Sequence, residues 1–200
     1  MAVRIRETTE VRQSQITEAA LKVIGQKGIN GATTAEIASA TGISEGNIYR
    51  HFKNKEEIFI AVIDKIGKDL ESLLDTVSDI DDPLQKLAEI FKRHLSYIEE
   101  HIGIPRIIFS DEVLVLNINL RTKVRHSISQ YSSGVCSIIS QAQDAGIINR
   151  KLDPGVVTSM FIGTINFTAI QWVMNDFSNS LTADVEKLWM TFAAAITTKY

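Results

Sequence analysis

The feature that most limits what this chain can fold into is the spacing of helix signals from Thr33 to Lys55, TTAEIASATGISEGNIYRHFKNK. Thr33-Thr34-Ala35-Glu36 has the form of a capping box, in which the Thr33 hydroxyl accepts from the Glu36 amide and the Glu36 carboxylate reaches back to the cap. Ile37, Ala38 and Thr41 continue one face, and Gly42 supplies the left-handed residue that ends a helix. Ser44 then offers a second N-cap, so a new helix starts a few residues after the last one stopped. Its Ile48 and Phe52, four apart, turn inward, which leaves Glu45, Gly46, Asn47, Tyr49, Arg50 and His51 on or beside the outer face. Asn54 caps a third helix, with Glu57 three residues on, and holds Lys53 and Lys55 at the junction. Two short helices on a tight turn make a helix-turn-helix. Gly46 within the second costs roughly 1 kcal/mol against Ala, a cost that close approach to another surface, such as a DNA groove, would offset.

Taken as a sum, the net charge of −3 disfavours a nucleic-acid partner. Its distribution reverses that: residues 1–55 hold eight Lys and Arg against five Asp and Glu, and residues 56–200 hold thirteen against nineteen. The basic part is the part that carries the motif. With 44% hydrophobic residues and three prolines, the chain reads as folded throughout. A single cysteine, Cys136, excludes a disulfide within the chain and suits a reducing cytosol, so a cytoplasmic protein is expected. Cys136 itself reads as a buried structural thiol, with a redox-sensing thiol as the alternative.

Gly42-Ile43-Ser44, followed by Ile48-Tyr49-Arg50-His51-Phe52-Lys53-Asn54-Lys55-Glu56, closely resembles the DNA-binding domain of TetR-type (TetR/AcrR family) transcriptional regulators. The motif covers roughly the first quarter of the chain; the remainder agrees in length, helical pattern and ending. The resemblance implies an all-α fold: a three-helix helix-turn-helix DNA-binding domain over residues 1–55, and a helical bundle over 56–200 for ligand binding and dimerisation. It places Thr34, Tyr49, His51 and Lys55 on positions that contact phosphates, and Glu45, Gly46 and Asn47 on those nearest base edges. Thr33, Ser44 and Arg50 complete the candidate DNA-binding set. Chemistry supports the division, since Asn pairs with adenine N6/N7 and Glu accepts from cytosine N4, whereas hydroxyls and Lys fix register. Glu45 has a second reading, electrostatic support of its own helix start, and Tyr49 has one as well, packing against helix 1.

In chain order, Met1 to Glu10 is polar and carries Arg4 and Arg6, a frayed terminus or an arm on the duplex. Helix 1 follows from about Thr9, with Ile16, Ala20, Val23, Ile24 and Lys27 at helical spacing, and ends at Gly28. Ile58, Val62, Ile66, Leu70, Leu73 and Val77 form the stripe of one helix over 54–77, a lever from the DNA-binding part into the rest. Pro83 opens another to about Glu100, a short helix covers 106–110, and 111–145 reads as one long helix or two joined ones. No segment alternates as a strand.

Gly155 to Asn175 contains no charged residue. Its length suits a membrane span, but Thr158, Ser159, Thr164, Asn166, Thr168 and Gln171 are scattered around it and no basic cluster flanks it, so no membrane partner is expected. An uncharged helix must bury most of its surface, and one bundle covers only one side. A homodimer through residues 154–178 and 182–198 meets that need, and the resemblance implies dimerisation in the same place; a charge at Phe161 or Phe167 should then dissociate or unfold it. Two copies would present paired recognition helices to a palindromic operator of double-stranded DNA.

The resemblance also implies a cavity for a small-molecule effector, with Tyr97, Ile98, Phe109, Asn117, Arg121, His126, Phe161, Asn166, Phe167, Gln171 and Trp172 as candidate linings; this mixture suits a mainly apolar ligand with a few polar anchors. No cofactor is implied. His94, His101 and His126 lack partners at metal-ligand spacing and read as packed or exposed imidazoles. Neither a G-x-S-x-G, a P-loop nor a dinucleotide fingerprint occurs, which leaves no catalytic residues to name and speaks against an enzyme. The expected function is a DNA-binding, ligand-responsive repressor. The alternative keeps DNA binding but makes the C-terminal body a docking platform for a protein, with no effector.

Overall fold

The computed structural model describes residues 8–198, so Arg4 and Arg6 lie outside the described residues. Nine α-helices are described: α1 (Thr9–Gly31), α2 (Thr34–Thr41), α3 (Glu45–Ile48), α4 (Lys55–Asp75), α5 (Pro83–Glu100), α6 (Gly103–Ile108), α7 (Ile118–Asp144), α8 (Pro154–Met174) and α9 (Val185–Ile196). A single π-helical turn, Glu112–Leu116, precedes α7. Among the described residues the one trace of strand pairing is an isolated bridge between Ile148 and Thr197.

The chain divides into two compact units. The first comprises the residues up to Ile66 together with His101–Val124; the second comprises Gly67–Glu100 and the residues from Arg125 onward. The helices α4 and α7 each contribute residues to both. The contact boundary therefore differs from the division at residue 55, because α6 returns to pack with α1 and the π turn packs with α6.

In the first unit α1 buries Ile16, Ala20, Leu21, Val23 and Ile24. Gly28 breaks its helical geometry with φ 72° and ψ 173°, where the sequence predicts the end, yet one further turn follows to Gly31. Helix α6 crosses α1 at backbone distance. A Cβ on Gly103 would collide with the carbonyl oxygen of Leu21, and one on Gly25 would meet the Ile102 side chain at 2.6 Å, so both glycines are required by the crossing. The π turn arises because Asn117 N–H donates to Glu112 O at 2.9 Å, five residues back, and Asn117 Oδ1 then accepts from the Asn119 and Leu120 amides to start α7. The 111–145 stretch is thus two joined helical segments, the second of the two readings its pattern allows, with the break at Asn117.

In the second unit Leu87, Ile90, Phe91, Leu95 and Ile98 of α5 form a buried face. Phe91 meets Phe161 of α8 edge-on at 5.5 Å, and Phe161 meets Phe192 of α9 at 5.7 Å. A Cβ on Gly134 would collide with Leu74, so α7 approaches α4 closely there. Asp153 caps α8 by accepting from Val156 N–H at 2.9 Å, with Pro154 in the first turn. The Glu99 carboxylate accepts from the Leu181 amide at 2.7 Å and the Thr182 hydroxyl at 2.8 Å, which pins the α8–α9 link to α5. Burial alone would raise its pKa; these hydrogen bonds outweigh it and the net shift is downward. His94 is buried within α5, its Nδ1 3.0 Å from the Tyr131 hydroxyl. Desolvation lowers the His94 pKa to about 3 and raises that of Tyr131.

Two outcomes follow from this packing. Gly103→Ala would ordinarily gain helix propensity, but its Cβ meets backbone that cannot rotate away, so the variant should lose about 1–3 kcal/mol in urea unfolding. For His94, the folded pKa lies below the unfolded value near 6.5, so its stabilisation is complete above that pH and is lost as pH falls towards 3. Between pH 6.5 and 4 the protein should lose about 1.4 kcal/mol per pH unit more than His94→Gln does; parallel profiles in denaturant titrations at several pH values would contradict the assignment.

Candidate nucleic-acid interface

The candidate reading surface is built on α2 and α3. Thr33 Oγ1 accepts from Glu36 N–H at 3.2 Å as predicted, but the Glu36 carboxylate pairs with Lys27 of α1, so only half of the capping box forms. Ile37 and Ala38 are buried beneath α2, and Gly42 closes it in the left-handed conformation at φ 72°. Ser44 occupies the N-cap position of α3 with extended geometry, yet its side chain makes no cap bond; its carbonyl accepts from Asn47 N–H at 2.9 Å. The second helix is shorter than its periodicity suggests. After Ile48 the chain continues as hydrogen-bonded turns, with His51 N–H and Phe52 N–H both donating to Ile48 O at 2.9 and 3.0 Å. Ile48 and Phe52 are buried, as their spacing predicts.

The outer face comes together as follows. Glu45, Gly46, Tyr49 and Arg50 are exposed, while Asn47 and His51 are half-buried. A Cβ on Gly46 would meet no heavy atom within 4 Å, so the backbone there is open to an approaching surface. Tyr49 is 51% exposed, with its hydroxyl 3.3 Å from Thr34 Oγ1. Thr34 Oγ1 donates in turn to Glu45 Oε1. Asn54 Oδ1 accepts from Glu57 N–H at 2.9 Å, and Glu57 reaches back to Lys53 N–H at 2.7 Å, which sets the start of α4. Lys55 is exposed, its Nζ 5.3 Å from the centre of the Phe59 ring. Gln13 of α1 was not singled out by the sequence: its Nε2 donates to the His51 carbonyl at 2.9 Å and braces the end of the reading element. Only the fold brings residues 13 and 51 together, so no local pattern announces the contact.

The residues proposed as an effector lining are distributed differently. Ile98, Phe161 and Trp172 are core residues of the second unit, Trp172 donating from Nε1 to Asn179 O at 2.7 Å. The half-buried Tyr97 donates to Asp69 at 2.7 Å. Asn166 lies in an open groove of about 490 Å³ between α7 and α8, where Cys136 also lies half-buried, more accessible than a structural thiol would be. Gln171 and Trp172 line another of about 520 Å³ beside the α8–α9 link. Phe109 is half-buried, Asn117 serves as the cap of α7, Arg121 donates to Leu114 O at 3.2 Å, His126 is exposed, and Phe167 is 61% exposed. Among the described residues no group of His, Cys, Asp or Glu is arranged to hold a metal. One described helix, α8, is long and apolar enough to cross a membrane. In the fold Val157, Phe161, Ile165, Ala169 and Trp172 line its buried side, so it is a core helix of the second unit, while Val156, Met160, Phe167 and Met174 form an exposed stripe on the other.

A helix-turn-helix with an open, polar outer face, joined to an all-helical second unit, defines a DNA-binding transcriptional regulator. The chain belongs to the TetR family: residues 16–62 match the family described as bacterial regulatory proteins, tetR family, and residues 62–195 match that described as YsiA-like protein, C-terminal region. It is 31% identical over 170 residues to the fatty acid metabolism regulator protein of Bacillus subtilis (strain 168), covering 84% of this chain and 87% of that protein. Its fold is similar to that of the transcriptional regulator FadR from Bacillus subtilis in complex with stearoyl-CoA, with TM-score 0.79, 29% identity and coverage of 92% of this chain and 98% of that one. It is also similar to FadR from Bacillus halodurans, with TM-score 0.82, 24% identity and coverage of 95% and 97%. A more distant likeness, 23% identity over 187 residues covering 92% of this chain and 95% of the other, is to the nucleoid occlusion factor SlmA of Vibrio cholerae. The family is one of regulators and not of enzymes.

Asn47→Ala should alter which duplexes are preferred, because an amide reads a base edge, whereas Lys55→Ala should weaken all duplexes alike and lower the salt slope by about one. Fluorescence anisotropy on selected and scrambled duplexes at several salt concentrations separates the two. Equal effects on specificity would contradict the division of roles.

Proposed function

We propose that this chain is a homodimeric repressor that binds a palindromic operator and is released by a long-chain acyl thioester of CoA. The observation that carries the effector class is the likeness, across most of both chains, to a fatty acid metabolism regulator and to a FadR solved with stearoyl-CoA. Such a ligand is mainly apolar with a polar head, in keeping with the mixed residues proposed to receive it. Dimerisation is supported by the exposed stripe of Val156, Met160, Phe167 and Met174 on α8 and by Met190 on α9, which a second copy would cover. Recognition elements related by a two-fold axis would sit about 34–36 Å apart, or a multiple of a helical turn, and so read a symmetric site. The helix α4 starts at the cap beside the reading face and continues into the second unit, so an effector favouring one arrangement would shift the population of DNA-competent dimers.

A second reading, a docking platform for a protein, draws on the likeness to proteins named nucleoid occlusion factors. The two separate in one experiment. Duplexes are first selected from random DNA; stearoyl-CoA should then release the protein from them and raise its melting temperature, while free CoA and stearate do so weakly or not at all. Stable binding and an unmoved melting temperature across a series of acyl chain lengths would reject the acyl-CoA reading in favour of docking. Phe167→Glu should yield a folded monomer, and Phe161→Glu an unfolded chain, by sedimentation and circular dichroism; a Phe167→Glu dimer at low concentration would displace the interface.

A further inference from the structure

We propose that Glu45 is a latch on the reading face: its carboxylate holds in the free protein the position of a DNA phosphate oxygen, and it is released only where a base amino group takes it over. The proposal rests on the reading of the α2–α3 face as the duplex-binding surface and couples the base-edge contact expected of Glu45 to release of the Thr34 and Tyr49 hydroxyls.

The argument is one of donors and acceptors. A carboxylate only accepts, so the single Thr34 proton is directed to Glu45 Oε1. With its proton committed, Thr34 Oγ1 is left as an acceptor 3.3 Å from the Tyr49 hydroxyl, which makes Tyr49 the donor of that pair. Both hydroxyl protons therefore point along one chain, Tyr49 to Thr34 to Glu45, and end on a negative oxygen supplied by the protein itself. Glu45 and Tyr49 are exposed and Thr34 is half-buried, and the backbone of Gly46, next to Glu45 in the chain, is open. The two hydroxyls are donors of the kind that fix a protein on phosphate oxygens. A phosphate can use them only after the Glu45 side chain has turned away.

What the carboxylate meets after turning decides the cost. Facing an exocyclic amino group in the major groove, cytosine N4 or adenine N6, it finds a new donor. Facing guanine O6 or thymine O4, it is an unpaired anion beside other acceptors and beside the phosphates. Glu45 thus couples occupation of the Thr34 and Tyr49 hydroxyls by the backbone to the identity of a nearby base. It would suppress binding to unselected DNA, which a direct phosphate contact alone cannot do.

The test is a double-mutant cycle on duplex binding by anisotropy, with the full-length protein, one duplex selected from random DNA and one scrambled duplex. Glu45→Ala should bind the scrambled duplex about 3- to 10-fold more tightly than the wild type does, and should lose about 5- to 100-fold of its preference between the selected duplex and one altered at a single base pair of each half-site. In a Thr34→Val background, where the hydroxyl that carboxylate and phosphate compete for is gone, Glu45→Ala should recover less than half of that gain. Glu45→Gln, of the same shape, controls for folding and should fall between wild type and Ala. An Ala variant that binds scrambled DNA no more tightly, or whose gain is the same with and without Thr34, overturns the latch and leaves the regulator reading intact. A wild-type protein that selects no duplex from the random pool overturns both.

Discussion

A helix of four residues has no stability of its own, since fixing its first turn costs more than one hydrogen bond returns. Everything that α3 offers to a duplex is therefore set by what lies beneath and beside it. Ile48 and Phe52 anchor it from below, the buried Ile37 and Ala38 hold the preceding helix, and Gln13 ties down the His51 carbonyl where the last turn frays. Two bonds then fix the exit into α4, Glu57 N–H donating to Asn54 Oδ1 and Lys53 N–H donating to the Glu57 carboxylate. The reading element is best regarded as one corner of a folded unit. Its geometry also depends on Gly25 and Gly103, which let α1 and α6 approach at backbone distance.

The second unit is held differently. Its centre is an edge-to-face aromatic series through Phe91, Phe161 and Phe192, in which each ring presents a positive edge to a negative face. Around it, polar groups lock the connections: Glu99 on the α8–α9 link, and Gln143 donating to the carbonyls of Asn149 and Leu152 at 3.1 and 2.7 Å. Helix α8 has one side in this core and an apolar stripe on the other. Its composition alone resembles a membrane span; in the fold Phe161 lies on its buried side and Phe167 on its exposed one.

Much of this was legible in the sequence because helix ends are local chemistry. The caps at Thr33 and Asn54, the stop at Gly42, and the inward turn of Ile48 and Phe52 each involve residues within a few positions of one another. The departures share a cause as well. Glu36 abandons the capping box because Lys27, on another helix, is a better partner for a carboxylate than a backbone amide. The spacing left open whether 111–145 is one helix or two joined ones, and it divides because Asn117 bonds five residues back and its side chain restarts the helix. Gln13 was invisible for the same reason: its importance comes from a distance in space that no spacing along the chain encodes.

The same asymmetry separates the two ends of the molecule. Duplex DNA is a fixed ligand with a repeating geometry, so a protein that reads it must place donors at nearly fixed offsets, and those offsets survive in the order of residues from Thr33 to Lys55. An effector imposes no such offset. Its receptor is whatever space several helices leave among them, and Tyr97, Asn117 and Trp172 are already engaged with Asp69, the start of α7 and Asn179. A polar group in that part of the chain therefore has two physical uses, closing the fold or facing a ligand, and its residue type does not distinguish them. On the reading face the ambiguity is smaller, because a hydroxyl or carboxylate placed on an open surface has few partners within the protein. That is why the bond from Thr34 to Glu45 stands out: a half-buried hydroxyl and an exposed carboxylate, each able to face water, are turned towards each other.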